Sequence, residues 1–506
     1  KMSLKQQTVS GVAWSVVARF GQQSMQFIIS ILLARLLMPK DFGLVAMIMV
    51  FVNFLRLFLQ EGFSPALVQK QDLRLIHIYS IFWLNIAVGI SLTSIIIAGA
   101  PIISSFYKEP QIVLMTRVLA FDFFIMSTGI VPRALLQKKF AFKRLAQIEI
   151  ATTFLSGGIA IVLAATGYGV WSLVFHCLCT SLFSAALRWI AAGWRPKFTF
   201  EIQAVRELFN YSINHWGFNI VNFWARNADN MLIGRVIGSA GLGIYNRAYS
   251  LMMLPISQIS NVLGQVMFPV FSTIQKEPKR VKQIYLRAMG SISLVAFPIM
   301  VGLWVVTKPF ILVIYGAKWA GVIPVLQVLC WVGLLQSLMN PTGWIYTSQG
   351  RTDWMFRWGV TASLTLIAGI SVGVWLGTVK AVAVGYAVSN VLLFYPCIMI
   401  PGKLINMTFS DVVKAVAGPF VSAGIMAIGL EMLRTVFPSK WPEWAFLIIQ
   451  VPLGAVLYVA MLHLFNFRAY REMLKLLSEQ WQRRLTRKQA LFAGGVSLRQ
   501  YTKTYE

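Results

Sequence analysis

Long apolar runs, separated by short polar intervals, fill almost the whole chain. The runs are continuous rather than alternating, and each comes close to or exceeds the roughly 20 residues a helix needs to cross lipid, which argues against strands. Run length predicts about fourteen membrane helices, over residues 9–37, 42–64, 75–99, 112–134, 147–166, 169–191, 208–236, 241–272, 285–306, 321–346, 355–376, 380–401, 411–436 and 443–466. Beyond them, Phe467, Met473, Leu474, Leu477, Trp481 and Leu485 recur at helical spacing with Arg and Lys between. That pattern predicts an amphipathic helix lying on anionic lipid, followed by a disordered end, "GGVSLRQYTKTYE".

Composition agrees with a polytopic membrane protein. The 506 residues are 57% hydrophobic and 12% charged, where a soluble protein carries about 25% charged residues. The net charge of +28 would suggest nucleic acid in a soluble protein. Here it is accounted for by basic loops that hold the topology, and no nucleic-acid partner is expected. Cys177, Cys179, Cys330 and Cys397 all lie in apolar runs and form no disulfide or zinc pattern, so they read as packing. No cleavable signal peptide is evident after Lys1 and Lys5.

The basic residues orient the chain. The N-terminus, 69–74, 133–147, 188–206, 276–287, 351–357, 403–414 and the tail alternate with 38–41, 104–110, 167–169, 235–240, 307–318, 377–380 and 434–443. The first set holds roughly 30 Lys and Arg and the second roughly 8, which places the first set and both termini in the cytoplasm. All loops are short, and none offers a separate catalytic domain.

The chain also repeats itself. "LLARLLMPKDFGL" (32–44) matches "LIGRVIGSAGLGI" (232–244), pairing Arg35 with Arg235 and Gly43 with Gly243. "FSPALVQK" (63–70) matches "FPVFSTIQK" (268–276), and "FYKEPQIVLMTRVLAF" (106–121) matches "IYGAKWAGVIPVLQVLCW" (314–331). "GYGVW" (167–171) falls opposite "GTVKA" (377–381). Each repeat holds about six spans, an even number, so both enter the membrane the same way and flank a central cavity. This predicts an all-α protein of two six-helix lobes, 1–197 and 198–405, two further helices within 406–466, and a tail, 467–506.

The repeat makes the polar residues legible. Ser15, Arg19, Gln22, Gln26 and Ser30 share one face of the first helix. Two hundred positions later the seventh helix carries His215, Asn219, Asn222, Arg226 and Asn230 in the same register, with Asp229 beside them. An arginine at membrane depth costs about 2.5–3.5 kcal/mol on insertion scales, so it should face a wet cavity or a partner. The set at depth is Arg19, Arg56, Arg226 and Arg247 against Asp122 and Asp229, with Glu61 near the cytoplasmic mouth as a gate or a helix-end salt bridge. The plainer reading is that these charges pair with one another or snorkel. The sharper one is an anion cavity, because Arg binds phosphate through bidentate hydrogen bonds. Gln22, Gln26, Asn222 and His215 would line it, whereas Arg35, at an outer helix end, should matter less. Asp122 and Asp229 would bind a coupling proton or sodium ion, or merely balance the arginines. No other cofactor and no metal centre is expected. Trp216, Trp224 and Tyr245 could stack on sugars, although most Trp and Tyr belong to interfacial belts.

"MSLKQQTVSGVAWS" (2–15), "ARLLMPKDFGLVAM" (34–47), "DNMLIGRVIG" (229–238) and "IPVLQVLCWVGLLQSLMNPTG" (323–343) resemble Wzx-type polysaccharide flippases, and within them the colanic-acid exporter group. These belong to the multidrug, oligosaccharidyl-lipid and polysaccharide exporter superfamily. The resemblance runs from Met2 to about residue 465. It implies fourteen helices, alternating access and residence in the bacterial inner membrane. The implied cargo is an undecaprenyl-pyrophosphate-linked oligosaccharide moved from the cytoplasmic to the periplasmic leaflet, for exopolysaccharide, capsule or O-antigen synthesis. Membrane lipids and the polymerase and chain-length machinery of that pathway are the implied partners. "RLFLQEGFSPA" (56–66) also resembles the second helix of the lipid II flippase, a cousin in which arginines on helices one, two and eight serve the substrate's pyrophosphate. Arg19, Arg56 and Arg247 occupy the corresponding helices, although the first helix here lacks the cousin's Arg-Asp pair. A cation-coupled multidrug exporter would share the fold but favour an acidic cavity. A membrane polymerase or glycosyltransferase would need a carboxylate cluster in a sizeable loop, and no phosphate-binding glycine loop is present.

Overall fold

The structure, a computed structural model, describes residues 21–60, 67, 74–203, 223–224, 226–436, 441–465 and 470–471. Among the described residues the chain is helical and contains no strand. The helices are α1 (21–36), α2 (Pro39–Gln60), α3 (Leu75–Tyr107), α4 (Ile112–Lys138), α5 (Phe142–Ala165), α6 (Trp171–Ala192), α7 (226–236) and α8 (Ser239–Thr273). They continue with α9 (Pro278–Phe310), α10 (Val322–Met339), α11 (Thr342–Ser348), α12 (Thr352–Trp375), α13 (Val379–Gly402), α14 (Phe409–Val436) and α15 (Glu443–Phe465). Eleven described segments are long and apolar enough to cross a membrane. The fourteen-helix expectation is compatible with this: the first and seventh spans begin outside the described residues, and the eighth is present as the 35-residue α8. The tenth span is discontinuous, because α10 stops before Asn340–Pro341 and α11 resumes the same span. The amphipathic tail lies outside the described residues, apart from Tyr470 and Arg471.

The helices fall into two compact units. The first comprises Lys1–Leu251, Thr307–Leu329 and Arg357–Leu392, and thus draws on both repeats. With no hydrophobic drive between helices in lipid, close approach relies on small residues. Gly89 faces Ser127 and Gly129 faces Ala185, which ties α4 to α3 and α6. A Cβ on Gly385 would overlap the Gly369 carbonyl, so α12 and α13 cross backbone to backbone.

The same device joins the repeats. A Cβ on Gly43 would overlap the Ser239 carbonyl, and a Cβ on Gly243 would overlap the Pro39 carbonyl. Pro39 and Ser239 open α2 and α8 and are themselves equivalent positions. The contact is therefore reciprocal, as at an isologous two-fold interface.

At the end expected to face the cytoplasm, Leu67, Ile78, Ile81, Phe82, Val131 and Ala134 form a core against Trp83, Trp189 and Trp194. The segment after α6 is strapped to this cluster. Trp83 Nε1 donates to the Lys197 carbonyl at 2.9 Å, and the Glu201 amide donates to Ser80 Oγ at 2.9 Å.

The second unit comprises Met252–Val306, Cys330–Phe356 and Leu393–Glu506. In it Gly333 lies beneath Met252 and Met300. Lys282 pairs with Asp411 at 2.6 Å, and Tyr458 donates to the Leu294 carbonyl at 3.0 Å, so α14 and α15 are each anchored to α9. Among the described residues none of the four cysteines is in a disulfide; Cys330 and Cys397 are buried, Cys177 and Cys179 half-buried.

Candidate functional site

The site residues that the sequence marks all fall within the first unit's range, and of them Arg19, Glu61, His215 and Asn222 lie outside the described residues. Arg56 projects from α2 to Asp122 on α4. Its Nε and Nη2 donate to Asp122 Oδ2 at 3.0 and 2.8 Å, and its Nη1 donates to Asn53 Oδ1 at 3.1 Å. Asn53 lies three residues before Arg56, one turn back on the same helix face. The Ser181 hydroxyl of α6 donates to Asp122 Oδ1 at 2.5 Å. Asp122 is fully buried with both oxygens engaged, whereas 21% of the Arg56 side chain remains exposed.

This pairing changes what Arg56 can do. The pair is neutral as a unit, so Arg56 is not an uncompensated positive charge. A guanidinium has five N–H donors, and three are spent here. The remaining donors and the exposed edge can meet a phosphate without the pair dissolving. Sequence reasoning set Arg56 and Asp122 in the same buried set but did not find Asn53 and Ser181, because a lone Asn or Ser in an apolar run carries no pattern.

Arg247 is held differently. Its Nη1 donates to Ser30 Oγ at 2.5 Å. Its guanidinium lies 4.6 Å from the Phe42 ring centroid and 5.3 Å from those of Tyr315 and Trp319. A desolvated cation over aromatic faces is stabilised by about 0.5–2 kcal/mol per contact. Arg247 therefore sits in an aromatic cage built by α1, α2 and the turn after α9. The Ser30 contact ties the first-helix stripe to the second repeat. The cage was invisible in the sequence, since Phe42 lies more than 200 residues from both Tyr315 and Trp319 and from Arg247.

Arg226 and Asp229, three residues apart on α7, do not pair. Arg226 is exposed, while Asp229 is 8% exposed and accepts the Asn230 amide at 2.8 Å. Tyr245 and Tyr249 lie beside Asp229, and Tyr249 packs edge-on against Tyr386 of α13 at 6.1 Å. Tyr245 is fully buried and offers no face to a sugar. Trp224 packs against Phe54 at 4.8 Å. Of the first-helix stripe, Gln26 is exposed, and Gln22 and Ser30 are half-buried. Among the described residues no three His, Cys, Asp or Glu side chains are grouped to hold a metal.

The two halves of the site thus differ. On α2, α4 and α6 an arginine is neutralised but open at one edge. On α7 and α8 an exposed arginine, a buried carboxyl among tyrosines and a caged arginine lie within about 30 Å of helix length. Such an arrangement can bind an anion through hydrogen bonds while keeping the net buried charge low.

Comparison with known proteins places the chain in a family. Residues 32–324 match the family model described as polysaccharide biosynthesis protein. The chain is 30% identical to the teichuronic acid biosynthesis protein TuaB of Bacillus subtilis, over 91% of this chain and 96% of that one. It is 25% identical to the lipopolysaccharide biosynthesis protein WzxC of Escherichia coli, over 77% and 80%. It is 24% identical to the succinoglycan biosynthesis transport protein ExoT of Rhizobium meliloti, over 92% and 94%. Its fold matches a lipid II flippase, MurJ, in an inward closed conformation, with a TM-score of 0.72 over 91% of this chain and 99% of that one at 15% identity. It also matches an inward-facing multidrug resistance transporter of the MATE family, of the MOP superfamily, with a TM-score of 0.56 over 78% and 99% at 16% identity. The fold is shared with these two proteins, and the chain belongs to the polysaccharide biosynthesis protein family.

Proposed function

We propose that this protein flips undecaprenyl-pyrophosphate-linked oligosaccharide repeat units from the cytoplasmic to the periplasmic leaflet of a bacterial inner membrane. Both termini face the cytoplasm, and two lobes, 1–197 and 198–405, rock about a central cavity. The observation that carries the reading is Arg56, exposed at one edge and still holding unspent donors beside a saturated Asp122. A pyrophosphate crossing a low-dielectric region needs fixed hydrogen-bond donors along its route. Arg56, Arg226 and Arg19 are the residues assigned to supply them, with Gln22 and Gln26 along the first helix. Arg247 acts through its cage, by fixing α1 and α8 relative to each other. Membership of a polysaccharide biosynthesis family and a fold shared with a lipid II flippase support the lipid-linked cargo.

Directionality requires that the cargo or an ion bind the two states differently. Asp229, buried beside tyrosines, is the residue proposed to take up the coupling proton or sodium ion. Asp122, saturated by Arg56 and Ser181, is assigned to holding the site's geometry. The polymerase and chain-length machinery of the same polymer are the proposed receivers of the flipped unit.

The deciding experiment is gene disruption followed by analysis of the carrier lipids. Lipid-linked oligosaccharide should accumulate on the cytoplasmic side, and purified protein in vesicles should restore its movement. If no lipid-linked oligosaccharide accumulates and vesicles show no movement, the reading is wrong.

A further inference from the structure

Arg35 and Arg235 are equivalent residues of the two repeats, 200 positions apart. Each reaches into the other repeat. Arg35 Nε donates to the Ile314 carbonyl at 2.7 Å, and its Nη2 donates to the Val313 carbonyl. Arg235 Nη1 donates to the Phe106 carbonyl and, at 3.3 Å, to the Ser105 carbonyl. The acceptors are equivalent as well: 106 and 314 open the aligned segments "FYKEP" and "IYGAK", and 105 and 313 immediately precede them. The two clamps are thus one interaction made twice, in crossed directions.

The acceptors have a physical reason to attract a cation. Ser105 and Phe106 lie in the last turn of α3, and Val313 and Ile314 lie in the π turn Ile311–Tyr315 that ends α9. The last carbonyls of a helix lack intrahelical donors and carry the negative end of its dipole. The Ser105 carbonyl also accepts the Lys108 amide at 3.4 Å; each arginine adds charge-assisted donors and the complementary charge to the other repeat's helix end. Around the clamps, Lys318 Nζ donates to the Arg35 carbonyl at 2.6 Å, Trp319 Nε1 donates to the Ala34 carbonyl at 2.8 Å, and Ser239 Oγ donates to Glu109 at 2.8 Å. Tyr107 and Tyr315, again equivalent, are buried beneath. The reciprocal Gly43–Ser239 and Gly243–Pro39 approach lies at the same end.

We propose that Arg35 and Arg235 form a reciprocal latch that closes the periplasmic end of the transport path and must release for the cargo to leave. The proposal rests on transport by alternating access and adds the residues that set its outward step. The geometry suits a latch better than a permanent weld. The arginines bond to neutral carbonyls rather than to buried carboxylates, and Arg35 is exposed and Arg235 half-buried, so water can replace each bond as it breaks. Repeat symmetry makes the two halves open together. By sequence alone, Ala at Arg35, at an outer helix end, should matter less than at the cavity arginines; the latch assigns Arg35 a role in the outward step.

The test reads accessibility, not transport, so its outcome is separate from that of the proposed cargo. In a background with Cys177, Cys179, Cys330 and Cys397 replaced by Ser, a Gln26→Cys reporter is labelled from outside with a membrane-impermeant maleimide. Gln26 is exposed and lies nine residues before Arg35 on α1, about 13 Å inward. Arg35→Ala and Arg235→Ala should each raise the external labelling rate about tenfold, the scale of a lost charge-assisted hydrogen bond. The double variant should raise it further, and Arg35→Lys should restore part of the closure. A cysteine at 139, labelled from inside, should react at the parent rate throughout. Unchanged external labelling in the double variant, with parent levels in the membrane, overturns the latch. Equal increases at 26 and at 139 also overturn it, since they would report general loosening. If the alanine variants are degraded, the lysine variants carry the test: external labelling no faster than in the parent for both overturns it.

Discussion

Arg56 and Asp122 form a neutral unit in which one carboxylate oxygen accepts two guanidinium bonds, at 2.8 and 3.0 Å. Breaking a buried pair by removing one partner costs about 3–5 kcal/mol, whereas removing both costs much less. This separates structure from transport. Asp122→Ala should lower the protein's membrane level or detergent Tm, because it strands Arg56. Arg56→Ala should do so less, because the Ser181 hydroxyl still bonds Asp122. The double variant Arg56→Ala/Asp122→Ala should recover stability but not polymer export. Recovery of export along with stability would show that the pair is only structural. Arg56→Lys should export poorly at a normal protein level, since it keeps the charge and loses the planar fork.

The glycine contacts predict a sharp contrast. Gly43→Ala and Gly243→Ala force a methyl group into a backbone carbonyl that cannot swing aside, so each should cost several kcal/mol, as overpacking at a rigid contact does. Gly99→Ala and Gly424→Ala meet nothing within 4 Å, and each should be neutral or stabilising by up to about 1 kcal/mol, the helix propensity gain. Thermal melts in detergent, read side by side, check the difference.

Orientation can be read directly. Single cysteines at 108 and 318 should label from outside, and those at 139 and 280 only after the membrane is opened. Reversed labelling would invert the transport direction proposed above.

Asp229 is the residue assigned to coupling. Its burial beside Tyr245 and Tyr249 predicts that Asp229→Asn folds well, because the neutral amide is easier to bury than a charge. The variant should still bind lipid-linked oligosaccharide but lose net transport driven by an ion gradient. Full gradient-driven transport by Asp229→Asn removes it as the coupling site.

Much of this protein was settled in one dimension. Apolar run length alone limits the chain to membrane helices, because in lipid every backbone group must be satisfied within its own segment. Charge bias in short loops supplies an orientation, and the matched segments around Arg35 and Arg235 reveal the duplication. The depth of Arg56, Asp122, Arg226, Asp229 and Arg247 follows from helical rise. Which of them pair does not, since rise places a residue along its helix but not the partner across it. Arg56 meets Asp122 and Ser181 because α2, α4 and α6 converge there, while Arg226 and Asp229, three residues apart on one helix, differ in burial, the first exposed and the second buried. The Arg247 cage gathers rings from residues 42, 315 and 319, and the crossed arginines find carbonyls, which every residue possesses and no sequence pattern marks. Side-chain identity and period decided the helices; the convergence of distant segments decided which charges are neutralised, which are caged and which remain open to a ligand.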